Sequence, residues 1–372
     1  MMSTPSAPAI ADPQSARTRI TELDVLRGIA ALAVVGYHYL VAFPVIFQGA
    51  PEPSVPFGIF AVHLFFMISG FVIFMTLART RSALDFAVSR FSRLYPVFWI
   101  AVLTTWTVVS LAPLPGRTAT FREVLINFTM FAEPLHATYV DGVYWSLVIE
   151  LAFYAIMLGL FLIGGLRHIE RIVVPWLLLQ IVVSVASAAL ERPVPKIVAV
   201  LFLLKYAHLF LAGILFHRIR SDGPTPVRYA LLACCLATQF VVQGVWAGAF
   251  ATVFFALFHA LATGRLTRFA VRPLVFIGTI SYSLYLVHQN IGYVVIRALG
   301  GSHRPLAVAA AVAVSLTLAT LLTFAVEQPS LRLLRALYRH LRAPRRAAGP
   351  LPTPSQEAAI APSVESPATP QS

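Results

Sequence analysis

Charge is scarce in this chain. Only 12% of its 372 residues are Asp, Glu, Lys or Arg, about half the share found in soluble domains. That excludes a water-soluble globule, because too little polar surface is present to cover one. Lysine is nearly missing, with Lys196 and Lys205 alone. Cysteine is confined to the adjacent pair Cys234 and Cys235. This excludes a disulfide framework and offers no metal-ligand spacing, so no metal site is expected. The sequence also lacks a Gly-rich phosphate loop, HExxH and G-x-S-x-G. Walker-type, zincin and serine-elbow chemistry therefore have no basis here. The first 25 residues hold no short apolar stretch with a small-residue cleavage site. The first apolar segment is thus expected to serve as an uncleaved signal anchor.

What the chain has is hydrophobic sequence: 58% of residues, with a mean hydropathy of +0.80. Apolar runs recur at the length of roughly 18 residues or more that spans a bilayer. In lipid each span must satisfy its own backbone, which selects helices. We read an all-α polytopic integral membrane protein with ten transmembrane helices and both termini cytoplasmic. The spans are 26–47, 57–78, 94–112, 143–163, 171–190, 197–216, 228–243, 246–263, 274–298 and 305–327. Only Gly244 and its neighbours separate the seventh from the eighth.

The basic residues test this topology. On the cytoplasmic side fall Arg17, Arg19, Arg79, Arg81, Arg90, Arg93, Arg167, Arg171, Arg218, Arg220, Arg228, Arg265, Arg268 and Arg272. The C-terminal Arg332, Arg335, Arg339, Arg342, Arg345 and Arg346 join them. The other side has Arg117, Arg122, Arg192, Lys196 and Arg304, while Arg27, Lys205 and Arg297 sit in spans. This strict alternation follows the retention of positive charge in the cytoplasm. The net charge of +13 is accordingly a matter of topology and of anionic lipid headgroups, and no nucleic-acid partner is expected. Four regions follow: a cytoplasmic segment 1–22, a transmembrane domain 23–329, a basic juxtamembrane segment 330–346 on the inner leaflet, and a tail 347–372. The tail is rich in Pro, Ala and Ser and expected to be disordered.

Ionisable residues inside spans are expensive and mark pathways or sites. Here they are Arg27, His38, His63, Glu150, Lys205, His208, His259, His288 and Arg297. His38 lies about 18 Å into the first span and His288 about 21 Å into the ninth, each from the cytoplasmic side. Arg27 and His38 are eleven residues apart, three turns plus about 20°, so both lie on one helix face. Asp24 is placed to pair with Arg27. A topology arginine plus a packed histidine would give the same pattern. An imidazole titrates near 6.5 and is a workable base at neutral pH, which makes His38 the best proton-transfer candidate. Ser146 and Glu150 share a face; the carboxylate could orient a histidine, hold a sugar hydroxyl, or pair with a basic residue. Arg90 and Arg93 open the third span and can clamp phosphate, or simply mark the cytoplasmic side. Ser281, Tyr285 and His288 line one side of the ninth span. His63, His208 and His259 suit packing roles.

Taken in order, these segments resemble the acyltransferase-3 family of bacterial membrane acyltransferases, over about 22–329. The resemblance is carried by Leu23-Asp24-Val25-Leu26-Arg27-Gly28 with His38, by Phe65-Phe66-Met67-Ile68-Ser69-Gly70-Phe71, and by Arg90-Phe91-Ser92-Arg93-Leu94-Tyr95-Pro96. Trp145-Ser146-Leu147 with Glu150, and Ser281-Tyr282-Ser283-Leu284-Tyr285-Leu286-Val287-His288, complete it. It implies transfer of an acyl group, often acetyl, from cytoplasmic acyl-CoA to a hydroxyl of a carbohydrate or glycoconjugate at the bacterial inner membrane. No permanently bound cofactor is implied. By resemblance His38 matches the essential histidine and Arg27 its paired basic residue. Arg90 and Arg93 match the arginine pair associated with donor binding, and Glu150 and His288 match further family positions. Some members carry a soluble hydrolase-like domain after the membrane region; this chain is expected to act without one. The alternative is a proton-coupled transporter or flippase of a polysaccharide or lipid-linked precursor using the same His and Glu residues. Neither an inverted repeat nor broken helices in matching halves support it clearly. The acceptor and the oligomeric state stay open.

Overall fold

The computed structural model describes residues 20–53, 58–266, 271–300 and 304–342. Nearly all of the expected segment 1–22, the end of 330–346 and the tail 347–372 lie outside them. Among the described residues regular structure is entirely helical. Six helices are long and apolar enough to cross a membrane: Thr21–Gln48, Ala83–Leu111, Gly142–Leu162, Gly165–Ala189, Pro226–Ala262 and Pro305–Arg342. Ala61–Leu77 is apolar but shorter. Among the described residues the chain is thus an all-helical membrane protein, and the expected segments fall largely on helix, the sixth with a break.

We label Thr21–Gln48 α1, with a π-helical turn at His38–Ala42. Ala61–Leu77 is α2 and Ala83–Leu111 α3. Ser82 caps α3 by accepting the amide of Asp85 at 3.2 Å, and the short α4 (Phe121–Asn127) opens with a Thr120/Glu123 capping box. These are the side chains that satisfy first-turn donors. Trp145–Leu162 is α5 and Ile169–Ala189 α6.

The sixth segment departs from expectation. It is two helices, α7 (Lys196–Leu201) and α8 (Ala207–Asp222), with Leu203 at φ +51° between them. The break would strand carbonyls. Buried Gln180 of α6 meets this need by donating from Nε2 to the oxygens of Leu203 (3.2 Å) and Leu204 (3.0 Å), as buried backbone requires.

Pro226–Ala262 (α9) has 37 residues, about 55 Å if straight and too long for one span. It is not straight. Gly244 has φ +84° and ψ −179°, a conformation open to glycine. On either side the chain folds back: Tyr229 Oη lies 3.2 Å from His259 Nε2, and Gly248 sits against the Phe240 ring. Both pairs are centred on Gly244. In a straight helix Tyr229 and His259 would be about 45 Å apart. α9 is therefore a helical hairpin, matching the seventh and eighth segments.

The last helices are α10 (Arg272–Leu299), α11 (Arg304–Leu322), a π-helical turn at Thr323–Glu327 and α12 (Gln328–Arg342). α10 packs tightly on α1. A Cβ on Gly278 would stand 1.9 Å from the Asp24 carbonyl oxygen, and one on Gly28 2.4 Å from that of Leu274. Small residues let the two backbones touch, as between helices in lipid. This contact sets His38 of α1 beside His288 of α10. Ion pairs tie the helix ends together: Arg342 with Asp85, Lys196 with Glu133, and Glu170 with Arg218 and Arg228.

Candidate active site

Two cavities open between α1, α2, α5 and α10. The first encloses about 750 Å³, part of it open to solvent, and is lined by Arg27, Arg90, Arg93, Ser69, Glu150 and Tyr154 among others. Three guanidinium groups from α1 and α3 thus meet in one chamber. Arg27 pairs with Asp24 at 4.0 Å. Arg90 reaches Ser89 at 3.3 Å, yet its buried Nε has no partner among the described residues. A buried guanidinium with an unused donor suits an anionic ligand. Glu150 accepts from Ser69 at 3.0 Å and from the Tyr154 hydroxyl. The structure therefore places Glu150 on the arginine side, not against a histidine.

The second cavity encloses about 690 Å³, again partly open, and is lined by Tyr37, His38, Arg117, Trp145, Gln289 and Tyr285 among others. His38 and Arg27, though on one helix, line different chambers. The imidazole of His38 meets that of His288: Nδ1 and Nε2 are 3.0 Å apart. The surrounding bonds fix the tautomers. His288 Nδ1 faces the carbonyls of Leu284 (3.1 Å) and Tyr285 (2.9 Å), so it carries hydrogen and its Nε2 is a lone pair. His38 Nδ1 then donates, shared between that lone pair and the Val34 carbonyl at 2.9 Å. This leaves His38 Nε2 as an unprotonated nitrogen. His288, fully buried and held at its own carbonyl by the Tyr39 hydroxyl (2.6 Å), orients it.

Tyr285 and Val62 line both chambers and form the septum between them. The Tyr285 hydroxyl donates to Val143 O (2.9 Å) and accepts from Ser146 Oγ (2.7 Å).

A protein-family comparison matches residues 20–324 to the Acyl_transf_3 model, described as an acyltransferase domain. The chain belongs to the acyltransferase-3 family. Comparisons with curated proteins and with solved structures returned no match. As a membrane acyltransferase domain, the chain has an anion-ready chamber and an imidazole chamber in contact.

Several residues of this candidate site escaped the sequence reading. Arg117 counted only as a loop charge, yet it bonds Asn290 at 3.1 Å and stands 5.2 Å over the Tyr293 ring inside the His38 chamber. Nothing local to a loop arginine announces this. Glu327, in the π-helical turn, accepts from Ser283 at 3.1 Å and is an electrostatic neighbour of Arg93 and Arg27. Its place as an acid beside the basic segment read as a span boundary. Gln289 follows His288 directly and was available as a signal. His63 and His208 pack as anticipated, in a buried string from Gln180 through His208 and Gln239 to His63.

Proposed function

We propose that this protein is an O-acyltransferase, with acetyl as the expected group. It moves the acyl group from cytoplasmic acyl-CoA to a hydroxyl of a carbohydrate or glycoconjugate at the bacterial inner membrane. The observation that carries the reading is the pair of chambers meeting at Tyr285 and Val62. Arg27, Arg90 and Arg93 hold the phosphates of the donor, and its flexible arm brings the thioester to the septum. The acceptor hydroxyl enters the His38 chamber. His38 Nε2 takes its proton as the oxygen attacks the thioester carbonyl. The tetrahedral intermediate collapses, the C–S bond breaks, and the leaving thiolate takes the proton back from His38 Nε2. The ester and free CoA result, and the base is regenerated. His288 keeps the His38 ring in register as charge develops.

Ten spans with both ends cytoplasmic complete the proposal. Each named ion pair between helix ends joins segments on the same assigned side: Arg342 and Asp85 inside, Glu170 with Arg218 and Arg228 inside, Lys196 and Glu133 outside. The break at 202–206 is a feature of transporters, but Gln180 occupies it. The test is release of free thiol from acetyl-CoA by purified protein with host glycan extract. Acceptor-dependent thiol release with acyl transfer supports the reading. Proton-coupled solute uptake without any acyl-CoA turnover sinks it.

A further inference from the structure

The amphipathic helix α12 does more than lie along the inner leaflet. Two of its tethers hold it on the start of α3: Tyr338 Oη donates to Asp85 at 2.7 Å, and Arg342 Nη1 to the same carboxylate oxygen at 2.8 Å. Both bonds fall on Asp85 Oδ1. Between these helices lies a cleft of about 740 Å³, including open space, lined by Asp85, Val88, Ser89, Arg335, Tyr338 and Arg339. Among the described residues Arg335 donates to the Ser89 hydroxyl (3.1 Å), and Arg339 to the Arg335 carbonyl (3.4 Å). Neither has a carboxylate partner among the described residues. Ser89 also takes the bond from Arg90, so one serine joins the cleft to the arginine chamber. Arg93 and Arg335 are close enough to repel. Arginines thus continue from the chamber (Arg90, Arg93) to the cleft (Arg335, Arg339), with Asp85 as the carboxylate of the cleft.

Resting on acyl-CoA as donor, we propose that this cleft is the seat of the donor's nucleotide end, with Arg335 and Arg339 holding the 3′-phosphate. The chemistry divides naturally. The diphosphate and thioester arm must enter the chamber, where Arg27, Arg90 and Arg93 are. The adenosine 3′-phosphate stays at the aqueous mouth, and the mouth is where α12 presents the guanidinium groups of Arg335 and Arg339. These residues lie beyond 20–324, the stretch that matches the family model.

The same guanidinium groups could hold lipid phosphate, and the experiment separates the sources. Binding of CoA and of 3′-dephospho-CoA is measured by calorimetry on the full chain in neutral phosphatidylcholine nanodiscs, then with anionic lipid added. Wild type should prefer CoA by about tenfold or more, the worth of a charge-assisted phosphate contact. Arg335→Gln/Arg339→Gln should bring CoA down to the affinity of dephospho-CoA and leave the latter unchanged. Tyr338 and Arg342 stay in place, so α12 keeps its tether, and an unchanged melting temperature checks this. Equal affinity of wild type for both nucleotides overturns the cleft assignment and leaves the donor reading standing. So does a variant whose preference is intact, or whose only defect is weaker association with anionic lipid. Failure of wild type to bind either nucleotide overturns the donor reading itself and this inference with it.

Discussion

An imidazole that gives its Nδ1 hydrogen to a carbonyl and to a second imidazole has one lone pair left for chemistry. In His38 that atom is Nε2, and His288 is what keeps it there. His38→Gln keeps size and hydrogen bonding but cannot take a proton. We expect kcat to fall about 10²–10⁴-fold, the common cost of losing a general base, with acyl-CoA affinity unchanged by calorimetry. Retention of most of the activity would remove His38 from the proposed role. His288→Phe removes the lone pair that fixes the ring. Its kcat should drop toward the His38→Gln level while KM for acyl-CoA holds. On the other side of the septum, Arg90→Ala/Arg93→Ala should weaken acyl-CoA binding more than folding, and added salt should weaken wild-type binding as well. Unchanged affinity in the double variant would return both arginines to a topological role.

At the scale of elements, α1 and α10 depend on two glycines. Gly278→Leu drives a side chain into the Asp24 carbonyl. Such overpacking costs about 1–3 kcal/mol, and it also parts His38 from His288. A lowered melting temperature in detergent together with lost activity is expected. Gly36→Ala, where a Cβ meets nothing within 4 Å, is the neutral control. The loop that carries α4 has its own acid limit. Glu123 accepts from Thr138 and from Thr120, and these bonds hold its carboxyl down from 4.5 to about 2. A depressed carboxylate stabilises the fold above its unfolded pKa, and that contribution is lost as pH falls through the folded value. Amide protection of Thr138 should therefore decline between about pH 4.5 and about pH 2. In Glu123→Gln this acid-dependent decline should be missing. An identical pH profile in both proteins would show that Glu123 does not set the loop's acid response.

For the whole molecule, the prediction is topological. Alkaline phosphatase fused after residue 52, 135 or 244 should be active, and after 85, 222 or 340 inactive. Position 244 is the sharpest of these, because the hairpin turn at Gly244 puts it on the far side only if both arms of α9 cross. An inactive fusion there, or an active one after 340, would break the even-span topology.

Much of this architecture was legible from composition and spacing. Apolar length against bilayer thickness determined helices and marked the turn at Gly244. Arginine placement carries the proposed alternation of sides, since charge retention acts on each loop by itself. The motif residues determined the family. The tertiary structure decided what depends on lateral packing, which no one-dimensional pattern encodes. It separated Arg27 and His38 into two chambers. It moved Glu150 to the arginines through Ser69 and Tyr154, and it brought Arg117 from a loop into the His38 chamber. It broke the sixth segment where Gln180, over twenty residues earlier in the chain, satisfies the exposed carbonyls. Above all it paired His38 with His288 across 250 residues. That contact exists because Gly28 and Gly278 let two backbones touch, a steric fact that only the assembled helices contain.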